Sequence, residues 1–363
     1  MSQPVQHIRF CTSRDGTRIA YATSGSGPPL VWLGHWVRHL NLDWESPIWR
    51  PWLSLLARRH TLIRYDYRGC GLSDRQGVEF SLAKHVEDLE AVVQAARLDS
   101  FTLFAQAGGG AVAMTYAARY PQRLNRLVLY GCQARGRSVR GMPLDAAKES
   151  DALLKLIEFG WRNEGPTYGQ FFATLHIPDA GADQIRAFSD LLRLTTSPAN
   201  ALEILRAFFA ADVSEFVPKI RIPTLVMHAR EDPIIPFNEG RSVASLIPNA
   251  QFVPLESRNH ILQEAETAWQ PMVDSLNQFF PNRDAEPGGP MDALLGGLTA
   301  REHQVLELIA QGLDNGSIGS RLGISERTAR NHASTIFSKL GVNTRAQAIV
   351  QARDAGFGIK ANR

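Results

Sequence analysis

The chain has 363 residues, 44% of them hydrophobic and 21% charged, which is the composition of an ordinary globular protein. It is longer than one typical domain of about 100 to 200 residues, so two domains are expected. No apolar run approaches the ~20 residues of a membrane span and the N-terminus has no basic segment followed by an apolar one, so we expect no membrane segment, no secretory signal and a cytoplasmic location.

The cysteines and the charge distribution indicate which kinds of site the protein can have. The three cysteines, Cys11, Cys70 and Cys132, are widely spaced and odd in number, which argues against a disulfide framework or a four-cysteine metal site. We therefore expect neither a metal nor a cofactor. The net charge of +3 is uneven, because residues 298–363 carry +4 and the rest of the chain −1. A basic excess in a small segment is typical of a part that contacts nucleic-acid phosphates.

The first 281 residues have the pattern of a mostly parallel sheet. A hairpin is predicted over 7–23, where apolar and polar residues alternate around Asp15-Gly16, a strong turn signal. Short runs typical of β-strands follow, mostly separated by helical patterns, at 30–33, 61–65, 101–104, 127–130, 224–228 and 251–255. This alternation predicts an α/β domain with a parallel sheet.

One insertion interrupts the alternation. Residues 133–215 have helical periodicity and clustered aromatic residues, so a helical lid is predicted there. A last helix is predicted over 264–280, ending at Pro281. The turn-forming residues of 282–297 have no periodic pattern and predict a linker. The predicted domains are therefore 1–281 and 298–363.

The C-terminal segment has the signals of a compact helical domain. Thr299 and Glu302 form a capping box, and helices are predicted over 299–311, 315–322, 325–340 and 344–355. The short connection at 322–325 supplies Gly323 to turn the chain and Ser325 to cap the next helix. This is the joint of a helix-turn-helix.

The third of these helices has two unlike faces. At 100° per residue, Ala329, Ala333, Ile336 and Leu340 share one stripe, and Arg327, Arg330, Asn331, Ser334 and Ser338 share the opposite one. Arginine can bridge two guanine acceptors and asparagine can pair with adenine, so the polar stripe is suited to reading the major groove. A merely solvated face is the alternative, and the stripe alone leaves both interpretations open.

Residues 298–349 resemble the LuxR-type (GerE-like) DNA-binding domain. The motifs that carry the resemblance are LTxRE at 298–302, LGIS at 322–325, IFxKLGV at 336–342 and TRAQA at 344–348. The resemblance implies that the helix from Ser325 enters the major groove of promoter DNA, and that helix 344–355 joins two protomers into a homodimer. The DNA contacts that it implies come from Arg327, Thr328, Arg330, Asn331, His332 and Lys339.

Three further positions matter in this resemblance. The residue equivalent to Glu302 usually braces the fold. Gly319 and Ala329 stand where the family usually has Ala and Val, which predicts slacker packing between the second and third helices of the domain.

Residues 1–281 resemble the α/β-hydrolase fold, through the strand order, the DYRGCGLSD stretch at 66–74 with its preceding tyrosine, and the position of the lid. In that fold a nucleophile occupies the middle of G-x-S-x-G, on a tight strand-to-helix turn. Here the turn at 105–110 reads AQAGGG, and the nucleophile position is Ala107. A methyl group cannot attack a carbonyl, and losing the nucleophile of a hydrolase costs about a million-fold in rate. No serine hydrolase activity is expected.

The resemblance also assigns the other triad positions. Asp232 matches the acid after the next-to-last strand and His260 the histidine after the final one. The His-Gly pair that usually supplies an oxyanion donor is reversed here as Gly34-His35, followed by Trp36.

The Asp232–His260 pair has three interpretations. His260 is a satisfied core histidine held by Asp232, or Asp232 fixes its tautomer so that it binds a ligand, with the Gly108 N–H as a second donor. In the third, His260 abstracts a proton as a general base in chemistry that needs no serine.

The favoured function is a ligand-responsive transcription regulator that senses a metabolite or a quorum signal. We expect a small, largely apolar or aromatic molecule in a pocket formed by His35, Trp36, Gln106, Ala107, Gly108 and His260. The alternative is a DNA-tethered enzyme that uses Asp232 and His260 for lyase or oxygenase chemistry. In a third hypothesis the N-terminal domain only dimerises, and its pocket is filled by aromatic side chains of the lid.

Overall fold

The computed structural model describes residues 5–36, 38–140, 144–162, 166–280, 298–342, 344–354 and 357–358. They divide into two compact units, one ending at Leu276 and the other beginning at Asn277. The predicted linker over 282–297 lies outside the described residues. None of the described helices is long and apolar enough to cross a lipid bilayer.

The N-terminal unit is built on an eight-stranded sheet with the order β1-β2-β4-β3-β5-β6-β7-β8. The strands are β1 His7–Thr12, β2 Arg18–Ser24, β3 Pro29–Leu33, β4 Thr61–Tyr65, β5 Phe101–Gln106, β6 Leu124–Tyr130, β7 Thr224–Ala229 and β8 Gln251–Leu255. The strands β1 and β2 form the predicted hairpin, β2 pairs antiparallel with β4, and the remaining pairs are parallel. The predicted α/β-hydrolase fold is confirmed.

Helices cover the sheet and form the insertion after β6. They are α1 Trp49–Ala57, α2 Leu82–Ala95, α3 Gly109–Arg119, α4 Leu144–Arg162, α5 Pro166–His176, α6 Ala182–Thr195, α7 Pro198–Phe209, α8 Phe237–Leu246 and α9 Trp269–Phe279. The helices α4 to α7 lie within the predicted lid. The predicted start of the last helix at residue 264 is wrong. The Glu266 carboxylate instead holds a turn by accepting Gln263 N–H and Asn259 Nδ2–H, so α9 starts only at Trp269.

The first few and last few residues of the lid are hydrogen-bonded to each other at its base. Val213 N–H donates to Ala134 O at 2.9 Å, and Gly136 N–H donates to Ala211 O at 2.7 Å. These bonds are those of a short antiparallel pairing, so the chain leaves the sheet and returns to it at one place. The segment after β6 is thereby fixed beside the lid.

Arg68 binds side chains from two other elements of the N-terminal unit. Its side chain has no exposed surface, and it donates to both carboxylate oxygens of Asp88 on α2, at 2.7 and 2.6 Å. It also donates to Asp15 in the hairpin turn at 2.9 Å. Removing one partner of such a pair is destabilising, because it leaves an uncompensated buried charge.

The C-terminal unit contains α10 Ala300–Ala310, α11 Asn315–Leu322, α12 Glu326–Leu340 and α13 Arg345–Asp354. All four helices were predicted, to within a residue at each end. The predicted packing stripe of α12 is buried, and it joins a core made of side chains from the four helices: Val305, Leu306, Ile309, Ile318, Ala329, Ala333, Ile336, Leu340, Ala348 and Ala352.

The variant Arg68→Met is expected to lower the free energy of unfolding of the N-terminal unit by about 3 kcal/mol or more, because Asp88 loses its buried partner. Arg18→Met is the matched control, since Arg18 is 64% exposed beside Asp74 and its loss should cost less than about 1 kcal/mol. Urea unfolding followed by tryptophan fluorescence measures both, because all seven tryptophans lie in the N-terminal unit. Equal losses in the two variants would contradict the role assigned to Arg68.

Candidate functional site

The turn between β5 and α3 keeps the backbone conformation that presents a nucleophile. Ala107 has a φ of 51°, in the left-handed region that costs a residue with a Cβ atom roughly 1–2 kcal/mol. Ala107 N–H donates to Tyr130 O at 3.1 Å, and Gly110 N–H donates to Ala107 O at 3.0 Å. The methyl group of Ala107 therefore stands where this turn would otherwise hold a nucleophile.

Asp232 and His260 are brought together by the loops after β7 and β8. Nδ1 of His260 lies 2.7 Å from Oδ2 of Asp232, and Oδ1 accepts the N–H groups of Ile234 and Ile235 at 2.8 and 2.9 Å. Burial would raise the pKa of Asp232, but His260 and the Ile235 N–H hold that pKa below its usual value.

The charge of Asp232 decides the tautomer of His260. An ionised carboxylate can only accept hydrogen bonds, so the proton of the His260 ring belongs on Nδ1 and leaves Nε2 as an acceptor. Nε2 is buried and has no hydrogen-bond partner among the described residues. Asp232 therefore accounts for one ring nitrogen of His260, and the other is a buried acceptor at the cavity.

Two further histidines meet the same ring. The ring centroids of His35 and His176 are 5.0 Å apart, and those of His176 and His260 are 5.6 Å apart. Burial lowers the pKa of His35 far below its usual value and that of His176 to about 3, and neighbouring histidines add to both shifts. His35 and His176 are therefore uncharged at neutral pH.

The strained turn, these histidines and the lid line a cavity that is open to solvent. Its empty space, with the open solvent at its mouth included, is about 690 Å³. It is lined by His35, Trp36, Ala107, Gly108, Gln133, Arg137, Arg140, Leu153, Ile157, Phe172, Leu175, His176, Leu205, Phe208, Phe209, Ile234, Ile235 and His260. None of these described residues carries a hydroxyl, a thiol or a carboxylate. Phe172, Phe208 and Phe209 of the lid line the cavity and do not fill it. The hypothesis that the N-terminal domain only dimerises predicts a filled pocket, and it therefore gains no support.

Five of the six residues predicted to bind the ligand line this cavity. The exception is Gln106, which still belongs to β5 and has a fully buried side chain. Its amide oxygen and nitrogen have no hydrogen-bond partner among the described residues. Burial within the sheet therefore separates Gln106 from the cavity.

Sequence reasoning missed the cavity residues that follow β6 and those from the lid. Gln133, Arg137 and Arg140 come soon after the carboxyl end of β6, and ligands of open α/β sheets bind at the carboxyl ends of strands. That rule could have found them. His176 offered no comparable signal, because its place depends on how α5 packs on the rest of the unit.

Cys132 lies close to the strained turn but is not a substitute nucleophile. Its side chain is fully buried, and its thiol lies 3.3 Å from Tyr130 O and 3.6 Å from Ala105 O. Burial raises the pKa of this thiol far above its usual value. Only a thiolate attacks efficiently, so Cys132 is inert.

The loop that presents His35 and Trp36 is held by a buried charge network. Oδ2 of Asp43 accepts from Arg38 at 2.8 Å and from Arg64 at 2.7 Å. The Arg38 guanidinium also lies 3.9 Å from the centre of the Trp32 ring, a favourable cation–π distance. This network fixes one wall of the cavity.

The polar face of α12 is available to a partner. Ser325 caps the helix by accepting Thr328 N–H at 3.1 Å, and Gly323, at a φ of 65°, turns the chain from α11. Most of the predicted DNA contacts are exposed, namely Arg327, Thr328, Arg330 and Asn331, while His332 and Lys339 are half-buried. These exposed positions make one face of α12 strongly polar.

Two of the predicted contacts are paired with carboxylates. Arg330 lies 2.8 Å from Glu326 within α12, and the ammonium group of Lys339 lies 2.7 Å from the Glu302 carboxylate of α10. Glu302 also accepts Thr299 N–H at 2.6 Å in the predicted capping box. Lys339 and this bond lower the pKa of Glu302 to about 2. Glu302 thus joins the start of α10 to the end of α12, as the resemblance implied.

The slacker packing expected around Gly319 is not what the structure has. A Cβ atom at Gly319 would lie 2.8 Å from Ile324 O and 3.3 Å from Glu326 N. The α11 backbone therefore approaches the turn before α12 more closely than an alanine would allow. At this position the smaller residue tightens the contact.

Two family models match the chain. The alpha/beta hydrolase fold model matches residues 39–267, and the model of bacterial regulatory proteins of the luxR family matches residues 297–352. The first match covers the sheet and lid, and the second covers the helix-turn-helix.

Individual proteins are similar to the N-terminal unit. A cis-3-alkyl-4-alkyloxetan-2-one decarboxylase from Shewanella oneidensis is 37% identical over 125 residues, which is 33% of this chain and 37% of that protein. A non-heme haloperoxidase from Rhodococcus erythropolis is 27% identical over 69% of this chain and 92% of its own length. An esterase structure from Exiguobacterium antarcticum superimposes with a TM-score of 0.63 at 25% identity, covering 75% of this chain and 98% of the esterase.

The variant Ala107→Ser is expected to gain hydrolysis of 4-nitrophenyl butyrate, by about tenfold or more over the natural chain, because the turn and the Asp232–His260 pair are in place. Initial rates at pH 7.5 measure the gain. Ala107→Ser combined with His260→Ala should return to the original rate. No gain in a folded Ala107→Ser protein would show that position 107 and Nε2 of His260 are not aligned.

The variants Arg327→Ala and Arg330→Ala are each expected to weaken operator binding by about 1–3 kcal/mol, if each guanidinium contacts a base. Fluorescence anisotropy with an operator selected from random duplexes measures the dissociation constants. Arg241→Ala is the matched control, because Arg241 is exposed in the N-terminal unit and its loss changes the net charge equally. An equal loss for the control would mean that only overall charge matters.

Proposed function

Because the chain belongs to the alpha/beta hydrolase family and carries a luxR-family DNA-binding domain, we propose that it is a transcription regulator controlled by a small, largely apolar molecule. The molecule binds in the cavity beneath the lid, and the helix-turn-helix binds promoter DNA. The observation that carries this proposal is the methyl group of Ala107 at the nucleophile position. The described lining of the cavity has no hydroxyl or thiol that could take its place.

The polar end of the cavity suits a hydrogen-bond donor on the ligand. Nε2 of His260 is a buried acceptor without a described partner, and leaving such a group unpaired costs about 1–3 kcal/mol. A ligand hydroxyl or N–H that reaches Nε2 recovers that energy. The rings of Trp36, Phe172 and Phe208 surround the rest of the ligand.

Binding at the operator needs two protomers. Helix-turn-helix dimers place two recognition helices on half-sites about one helical turn of DNA apart. The helix α13 exposes Val350, which is 58% accessible, on the element that the LuxR resemblance assigns to dimerisation. A ligand changes operator binding only if it binds one arrangement of the two protomers more tightly than another, and only to the extent of that difference in affinity.

A DNA-tethered enzyme is the second candidate, and the same nitrogen favours it. Nε2 of His260, activated by Asp232, is a correctly built general base for abstracting a proton. Turnover of a cavity ligand that is lost in His260→Ala would support this candidate. A ligand recovered intact after long incubation would count against it.

The variant Leu205→Trp is expected to abolish the effect of cavity ligands on operator affinity while leaving operator affinity without ligand unchanged, because the larger ring occupies the cavity. Suitable ligands are first chosen from aromatic and aliphatic acids and esters by the rise in melting temperature of the natural full-length protein. Anisotropy titrations with and without ligand then measure the effect.

Leu246→Trp is the control for this substitution. Leu246 is 40% exposed and does not line the cavity, so this variant should respond to ligand as the natural protein does. A full ligand response in Leu205→Trp, or operator affinity in the natural protein that no cavity ligand alters, would contradict the proposed function.

A further inference from the structure

The lining of the cavity includes two arginines. Among its described lining residues, Arg137 and Arg140 carry a formal charge and none carries a carboxylate. His35 and His176 are uncharged, because burial lowers the pKa of each. The nearby Asp232 does not line the cavity, and its oxygens already accept from His260, Ile234 and Ile235. The charge facing a ligand is therefore positive.

Arg140 is the unsatisfied member of this pair. Its Nη1 atom is buried and has no hydrogen-bond partner in the described part of the chain. Burial lowers the pKa of its guanidinium, although Glu239 opposes that shift. The carboxylates of Glu239 and Asp232 act on Arg140 through their charge, and among the described residues neither accepts a hydrogen bond from it. A guanidinium stays charged in proteins, so the Nη1 side of this half-buried cation is poorly solvated.

The base of the lid holds Arg140 in this position. Gly136 N–H and Ser138 N–H donate to Ala211 O and Phe209 O, at 2.7 and 2.9 Å. The segment that bears the arginines is thus fixed to the end of α7, which also supplies Leu205 and Phe208 to the cavity. The segment that leads to Arg140 and the apolar wall are therefore joined at the base of the lid.

We propose that the cavity takes an apolar molecule that ends in a carboxylate, and that Arg140 binds this carboxylate. The planar guanidinium matches a carboxylate in shape, and charge-assisted hydrogen bonds are stronger than neutral ones. The apolar body lies against Ile157, Phe172 and Leu205, and a donor group elsewhere on the molecule reaches His260. This inference rests on the proposed function and names the chemical class of its ligand.

Two compounds of one shape test the inference. 1-Naphthylacetate and 1-naphthylacetamide differ in the charge of a single group, and calorimetry at pH 7.5 measures the binding of each to the full-length protein. The acid is expected to bind about tenfold or more tightly than the amide, since one tenfold step corresponds to one charge-assisted contact. In Arg140→Gln the ratio of the two affinities should fall to about one, and Arg140→Lys should restore part of it.

Arg135→Gln is the matched control, because Arg135 is an exposed residue of the same segment and does not line the cavity. It should keep the preference for the acid. The inference is overturned if the natural protein binds the two compounds equally, if it does not bind the acid at millimolar concentration, or if a folded Arg140→Gln protein keeps the preference. Equal binding of the acid and the amide would leave ligand sensing intact, since the operator titrations of Leu205→Trp test that separately.

Discussion

The hydrogen bond of 2.7 Å between His260 Nδ1 and Asp232 determines what the cavity can do. It places the ring proton on the side away from the cavity and leaves Nε2 as a buried acceptor. In a hydrolase that acceptor takes a proton from the nucleophile, but here the nucleophile position holds the methyl group of Ala107. In the proposed regulator, the same geometry that activates a serine serves as a hydrogen-bonding point for the ligand.

The rest of the N-terminal unit keeps this point buried and in place. The turn at Ala107 retains its left-handed backbone at an energetic cost, although no nucleophile remains to be presented. Asp43 fixes the loop that bears His35 and Trp36, and the pairing at the base of the lid fixes the segment that bears Arg140. These features keep the cavity in the shape that the proposed ligand binding needs.

The sequence was sufficient for the fold because its signals are local. The alternating runs, the Asp15-Gly16 turn and the capping box at Thr299 depend on neighbouring residues only, and all of them are in the structure. The site was predicted in part: the resemblance located Asp232 and His260, but not His176 or Arg140. Which lid side chains enter the cavity depends on tertiary packing. The predicted start of α9 was wrong for a similar reason, since the Glu266 carboxylate organises the turn before that helix. Gln106 lies buried at the end of β5 and does not line the cavity, which also depends on packing.

In the proposed regulator, the cavity and the DNA-binding face are energetically coupled. Coupling is reciprocal, so a ligand that alters operator affinity must itself bind with a different affinity when operator is present. The direct measurement is a calorimetric titration of one cavity ligand into the full-length protein, alone and saturated with operator. If the two sites are coupled, the two dissociation constants differ by about fivefold or more. Identical constants with and without operator would contradict this coupling.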